Sequence, residues 1–126
     1  MTAILISGPA VEPVTLAEAK AHLRVDSSDE DTLVSSLVTA ARIHIELACS
    51  KVLITQSWKL YFDRWPSRTC VEIPIAPLQE ISAVKIYDAD DNSENLDASG
   101  WYVDTASIPG RLVRRPVAIW PDPARP

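Results

Sequence analysis

The spacing of apolar residues predicts two helices in the first 50 residues. Thr15 and Glu18 have the spacing of a capping box, in which each side chain accepts from the other residue's backbone N–H. The helix that begins there is expected to end near Val25. A second helix follows, with Ser28 or Asp29 as its N-cap and acidic residues at the positive end of its dipole.

The second helix carries two neighbouring apolar stripes, a wider apolar face than a helix on a protein surface needs. One stripe comprises Leu33, Leu37, Ala40, His44 and Leu47. The other comprises Val34, Val38, Ala41, Ile45 and Ala48. Two interpretations remain open: both stripes are buried in one subunit, or one stripe seals a contact between subunits. On the second interpretation, the candidate interface residues are Val34, Val38, Ala41 and Ile45.

Beyond residue 50 the pattern changes from helical to alternating, which predicts strands. The predicted strands, separated by proline-containing or polar segments, are residues 54–62, 70–75, 81–87, 101–103 and 112–113. Pro74 and Pro77 restrict the second of them to a sheet edge, because proline has no N–H for a ladder. We therefore predict an α+β fold in which an N-terminal helical pair packs with a small antiparallel β-sheet.

The last stretch of the chain is rich in proline and is expected to be extended. Four prolines after Arg115 exclude a helix or a central strand. An arm that docks on a neighbouring protein and an ordinary terminal tail are both open interpretations. Its candidate contact residues are Arg111, Arg114, Arg115 and Trp120.

The chain as a whole is predicted to be a single domain. Its predicted parts are a lead-in (1–14), the helices (15–50), a β-rich part (53–114) and the extended arm (115–126).

Composition and charge reduce the number of functions that this chain could have. The 126 residues include 12 basic and 17 acidic side chains, and the net charge of -5 argues against tight duplex binding, since phosphate neutralisation needs excess Lys and Arg. Cys49 and Cys70 have neither the spacing of a metal site nor the density of a disulfide scaffold, which favours synthesis in a reducing cytoplasm. Without a basic leader or an apolar run of membrane length, we expect a soluble protein with no membrane contact.

No set of residues for catalysis, metal binding or a cofactor emerges from the sequence. His22 and His44 have no second ligand at metal spacing, and the three glycines form no phosphate-binding loop. No nucleophile elbow occurs. We therefore expect no enzyme activity, no metal and no cofactor.

An acidic segment at 88–94 begins like a calcium-binding loop. The similarity ends at its sixth and twelfth positions, where serines stand instead of the required Gly and Glu. A solvated hairpin loop is the better prediction. An alternative role is to face a channel, where negative charge keeps passing DNA from adhering to the wall. The residues concerned are Asp88, Asp90, Asp91 and Glu94.

Several segments, taken in order, resemble one protein family. The N-terminal ones are PVTLAEAK (13–20), HLRV (22–25), DED (29–31) and AAR (40–42) followed by Glu46. The later ones are LITQSW (53–58), FDRWP (62–66), Ile73-Pro74, Pro77-Leu78 and residues 81–88. This order resembles the head-tail connector (adaptor) family of tailed phages over roughly residues 10–90.

The resemblance implies a structural subunit of a homo-oligomeric ring, usually of twelve copies. Such a ring lies at the head-tail junction of a virion, prophage particle or gene transfer agent particle. Its expected partners are the portal protein and a stopper or tail-terminator protein, and DNA passes through the central channel without specific binding. The family carries no catalytic residues to transfer to this chain.

The chain departs from the family pattern in two places. Cys49-Ser50-Lys51 stands where the family has a turn with glycine, and the sequence stops at Pro126 where relatives continue into further strands and helices. We expect either a truncated piece or a member that lacks this part.

The alternative function is a small soluble module, unrelated to virions, that binds a peptide or protein by strand addition or in an apolar groove.

Overall fold

The computed structural model describes residues 1–67 and 69–121, and its helices and strands confirm the α+β class. In chain order, the elements are β1 (Thr2–Ser7), α1 (Leu16–Leu23), α2 (Asp31–Cys49), β2 (Ser57–Tyr61), β3 (Cys70–Glu72), β4 (Lys85–Tyr87), β5 (Ser93–Asn95), β6 (Trp101–Asp104) and β7 (Arg111–Arg114). A 3-10 helix, Ala98–Gly100, precedes β6.

The chain divides into two compact units. Leu5–Trp58 form the helical unit, and the described residues of Met1–Ile4 and Lys59–Pro126 form the β unit. The single domain expected from the sequence stays a prediction.

Helix α1 begins at the predicted capping box. The Glu18 backbone N–H donates to the Thr15 hydroxyl at 3.2 Å, and the Thr15 backbone N–H donates to the Glu18 carboxylate at 2.9 Å. Arg24 ends the helix in the left-handed conformation, with φ 58°. Both ends lie within two residues of the prediction, because a cap depends only on residues close to it in the chain.

Helix α2 begins later than the sequence predicts. The predicted N-cap is Ser28 or Asp29, but residues 28–31 form a turn in which the Asp31 N–H donates to the Ser28 carbonyl, and Glu30 is the N-cap without a side-chain bond. Asp31 accepts from Lys20 of α1 at 2.6 Å. The helix ends where Ser50, with φ 52°, adopts the left-handed conformation that glycine usually supplies.

The β unit is built around an antiparallel sheet in the order β3-β7-β6. Cys70 lies opposite Val113 in β7, and Tyr102 in β6 lies opposite the same residue from the other side. Val71 and Leu112 are buried in its core together with Trp120. Strand β3 is at the edge of this sheet, as predicted.

Three predicted strands are shorter than expected. Predicted strand 54–62 is reduced to β2, because Leu53 N–H and the Gln56 side chain bond to Glu46 of α2 and hold residues 53–56 out of the strand. Predicted strand 70–75 ends at Glu72, just before Pro74. Predicted strand 81–87 begins only at Lys85.

Two strands lie where none was predicted. Strand β1 occupies the lead-in and forms a two-stranded sheet with β2. Strand β5 lies inside the predicted polar loop and pairs with β4, with Ile86 opposite Glu94. The β5 residues, Ser-Glu-Asn, are all exposed and lack apolar alternation, so pattern alone does not identify them.

The predicted extended arm is not confirmed over residues 115–121. The Ala118 N–H donates to the Arg115 carbonyl and closes a turn, after which Trp120 is buried and stacks on Trp65 with 4.3 Å between ring centroids. The Trp65 indole N–H donates to the Pro121 carbonyl at 2.8 Å. Burial of a large aromatic ring outweighs the extended tendency of the prolines. Residues 122–126 of the arm lie outside the described residues.

Candidate assembly surface

The inner face of α2 carries a buried arginine. Arg42 is 8% exposed and lies between two carboxylates, donating through Nε to Glu12 and through Nη1 to Glu46, both at 2.7 Å. The Thr39 hydroxyl adds a 3.0 Å bond to Glu12. Because a buried guanidinium requires hydrogen-bonded partners, this network determines which face of α2 turns inward.

The network favours the ionised form of both carboxylates. The hydrogen bond from Arg42 lowers the pKa of Glu12 below its usual range. Burial by itself raises the pKa of Glu46, but hydrogen bonds from the Leu53 backbone, Gln56 and Arg42 outweigh burial and lower that pKa. In return, the hydrogen bond to Glu12 raises the pKa of Arg42.

The opposite face of α2 is apolar and exposed. At 100° per residue, the stripe centred opposite Arg42 consists of Leu33, Leu37, Ala40, His44 and Leu47, and we call it the outer stripe. Leu33 is 57% exposed, Leu37 is 55% exposed and Leu47 is 75% exposed. Contiguous exposed apolar surface of this kind marks a protein or membrane contact rather than an ordinary solvated face.

The four interface residues predicted on α2 lie in different environments. Val34 is 4% exposed and Val38 is half-buried, so Val34 is covered by its own chain and is not free to meet a partner. Ala41 and Ile45 are exposed, and their role stays a prediction. The pairing of Arg42 with Glu12 distinguishes the buried side of the helix from the exposed one. Helical periodicity alone does not reveal this pairing.

By length and composition alone, α2 is also long and apolar enough to cross a membrane. The packed helix of a soluble protein passes the same test. The ion pairs of Arg42 with Glu12 and Glu46 fit a helix with one packed face, since unsolvated charges are costly in a bilayer.

Two of the arginines predicted as contacts are engaged within the β unit. Arg111 donates through Nε and Nη2 to one oxygen of Asp104, at 3.1 and 2.6 Å. This bond and the Ser107 hydroxyl lower the pKa of Asp104 to about 2. Arg114 donates to the Ala118 carbonyl.

The other two predicted contacts at this end differ in exposure. Arg115 is exposed and lies over the Tyr102 ring at 5.6 Å, so it remains available to a partner. Trp120 is 8% exposed in the core beside Leu112 and anchors its own chain.

The acidic loop forms the tip of the β4–β5 hairpin. Asp88 organises the loop by accepting from the backbone N–H groups of Asp90 and Asn92 and from the Asn92 amide. The Asn92 side-chain bond lowers the pKa of Asp88. Asp90 and Asp91 are exposed at this tip, whereas Glu94, also exposed, lies in β5 opposite Ile86.

Within residues 1–67 and 69–121, no group of three or more His, Cys, Asp or Glu side chains is arranged to hold a metal ion. Cys49 and Cys70 are free thiols.

Comparison with known proteins identifies similar sequences and structures. Residues 13–101 match the family model described as phage gp6-like head-tail connector protein. A comparison with curated proteins finds no match.

Three solved structures share the fold. A chain from "Neck of empty GTA particle computed with C6 symmetry" is 26% identical, with a TM-score of 0.78 over 96% of this chain and 64% of that chain. A chain from "Virion of native gene transfer agent (GTA) particle" is 23% identical, with a TM-score of 0.78 over 97% of this chain and 64% of that chain. A chain from "Neck of native GTA particle computed with C12 symmetry" is 25% identical, with a TM-score of 0.65 over 94% of this chain and 61% of that chain. This chain thus spans less than two thirds of each.

Proposed function

The chain belongs to the phage gp6-like head-tail connector family, and from this premise we propose that it is a subunit of a ring at the head-tail junction of a virion or gene transfer agent particle. It acts there by packing against copies of itself and against neighbouring proteins, and it catalyses no reaction. The proposed partners are a portal protein on the capsid side and a stopper or tail-terminator protein on the tail side.

The outer stripe of α2 is the observation that carries this proposal. Leu33, Leu37 and Leu47 are each more than half exposed, while the opposite face of the helix is held inside by Arg42. Burying one leucine contributes roughly 1.5–3 kcal/mol, so a neighbour that covers the stripe gains several kcal/mol. We propose that this neighbour is the adjacent subunit.

A ring follows if the contact joins different surfaces of adjacent subunits through a rotation that closes. The similar chains come from particle necks described with C6 and C12 symmetry, which supports a cyclic arrangement and our proposal of twelve copies. In such a ring, the acidic β4–β5 hairpin carrying Asp88, Asp90, Asp91 and Glu94 is proposed to line the channel and to repel passing DNA.

The test is assembly measured by sedimentation velocity, for the chain alone and mixed with the portal and stopper proteins of the same particle. Leu37→Asp and Leu47→Asp place a charge in the outer stripe and should weaken assembly by roughly 10-fold or more each, since about 1.4 kcal/mol corresponds to a factor of ten. Val11→Asp is the matched control, because Val11 is 67% exposed but lies outside α2.

Two results would contradict the proposal at different levels. If the unmodified chain stays monomeric alone and with both partners, the ring is wrong. If the two leucine variants assemble as well as Val11→Asp, the ring stands but the outer stripe is not its contact.

A further inference from the structure

The β unit has an open groove on its surface, with a volume of about 430 Å³. Phe62, Pro66, Pro74 and Pro109 form an apolar part of its lining, to which Cys70 and Glu72 of strand β3 also contribute. Its volume is at the lower end of the range for sites that hold drug-sized ligands, so it has room for two aliphatic side chains.

The strand register places a row of charges beside this groove. Cys70 and Glu72 share the face of β3 opposite Val71, which is buried in the core. Across the sheet, Glu72 lies opposite Arg111, which lies opposite Asp104. The row contains two carboxylates and one guanidinium, so it retains one negative charge that an incoming cation can neutralise.

The same unit presents an apolar tip, which we define as residues 116–119. Val117 is 93% exposed and Ile119 is 88% exposed, the highest values among the large apolar residues of the described chain. Arg115, at the base of the tip, is exposed as well. A tip of this composition offers two aliphatic anchors beside one positive charge.

The tip is held in place by its own chain. Ala118 donates its N–H to the Arg115 carbonyl and accepts from Arg114 through its own carbonyl. Immediately beyond the tip, Trp120 is stacked on Trp65 in the core. An apolar segment that is already ordered loses little conformational entropy when a partner covers it.

We propose that the apolar tip of one subunit inserts into the groove of the adjacent copy. Val117 and Ile119 contact the apolar lining, and Arg115 faces the acidic row that ends at Glu72. Tip and groove are different surfaces of one unit, so every subunit uses both, which gives the head-to-tail contact that a closed ring requires. This inference rests on the proposed ring. It adds a second contact between adjacent subunits to the one proposed for the outer stripe.

The native thiol of Cys70 in the groove permits a direct test of proximity. In a Cys49→Ser background, Val117→Cys adds a second thiol at the tip. Diamide then oxidises two thiols that lie close together to one disulfide, accepting their two hydrogens. A disulfide requires Cα atoms about 4.4–6.8 Å apart, so its formation measures contact. The reaction is run on the chain alone and on the chain mixed with its portal protein.

The expected product is a ladder of covalent dimers, trimers and larger species, because each subunit can form two links. Val11→Cys in the same background is the matched control and should give no ladder, since Val11 is 67% exposed but lies in the other unit. Glu72→Arg and Arg115→Glu should each slow ladder formation about three- to tenfold, and the double reversal should restore the rate. Circular dichroism of each variant checks that it is folded.

The outcomes separate this contact from the ring itself. If the chain assembles but forms only dimers or no links, the tip–groove contact is overturned and the ring stands. If a ladder forms from open chains with no closed particle under the electron microscope, the contact stands and the ring is overturned. A chain that stays monomeric alone and with both the portal and the stopper proteins overturns both.

Discussion

At the scale of single residues, the guanidinium of Arg42 joins the lead-in to α2. Glu12 and Glu46 bond to different nitrogens of this side chain, and their side chains are 27% and 12% exposed. Glu46 in turn accepts from the Leu53 N–H and holds the segment after the helix. One charge therefore positions three segments of the chain.

Removing this charge should destabilise the protein strongly. Arg42→Leu leaves Glu12 and Glu46 without their main partner, and breaking a buried ion pair on one side costs about 3–5 kcal/mol. Urea unfolding followed by circular dichroism measures the free energy of unfolding. Arg64→Leu is the control, since Arg64 is exposed. A loss below about 1 kcal/mol for Arg42→Leu would show that the network is not a main determinant of stability.

Asp104 predicts a pH dependence at the other end of the chain. In the folded protein the pKa of Asp104 is about 2, below its ordinary value of 3.8. Folding therefore favours the ionised carboxylate. The stability it contributes is present above pH 3.8 and is lost as the pH falls toward 2. In Arg111→Gln the pKa should rise toward 3.8, as measured by NMR titration of the side-chain carboxyl carbon. An Asp104 pKa that stays near 2 in this variant would contradict the role of Arg111.

At the scale of elements, strand β7 depends on a close approach at its start. A Cβ added to Gly110 would lie 2.5 Å from the Cβ of Leu78, closer than two carbon atoms pack. The contact involves the base of the Leu78 side chain rather than a flexible end, so the backbone would have to move. Gly110 also accepts from the Ile73 N–H and connects β7 with the end of β3.

Gly110→Ala should therefore lower the free energy of unfolding by about 1–3 kcal/mol, the usual cost of overpacking. Gly8→Ala is the matched control, because its added Cβ would be 4.0 Å from Leu5, an ordinary contact. Thermal unfolding of both variants measures the difference. Equal melting temperatures would mean that Leu78 yields without cost.

On the scale of the whole molecule, the described chain buries few apolar side chains. Those below a tenth exposed are Val34, Val71, Ala76, Leu112 and Trp120. Many large apolar residues remain in solvent, with the outer stripe of α2 and the tip at 116–119 the clearest groups. Since hydrophobic burial is the main favourable term in folding and association, covering these groups is the expected source of assembly energy. The leucine variants and the cross-linking ladder examine these two surfaces separately.

The predictions from sequence succeeded where neighbouring residues decide the structure. The capping box of Thr15 and Glu18 and the end of β3 just before Pro74 depend on residues within a few positions. The order of such local signals also identified the connector family. The candidate interface was harder to predict from the sequence, because periodicity identifies two apolar stripes without showing which one the chain covers.

By itself, the sequence determined the fold class, the main helices and the family, because caps, periodicity and proline positions act locally. Only the tertiary structure decided which face of α2 is exposed, since Glu12 reaches Arg42 from 30 residues away. It also decided that the proline-rich end turns back, since Trp65 bonds to Pro121 across 56 residues. Both decisions depend on contacts between distant segments, and the spacing of residues along the chain does not encode such contacts.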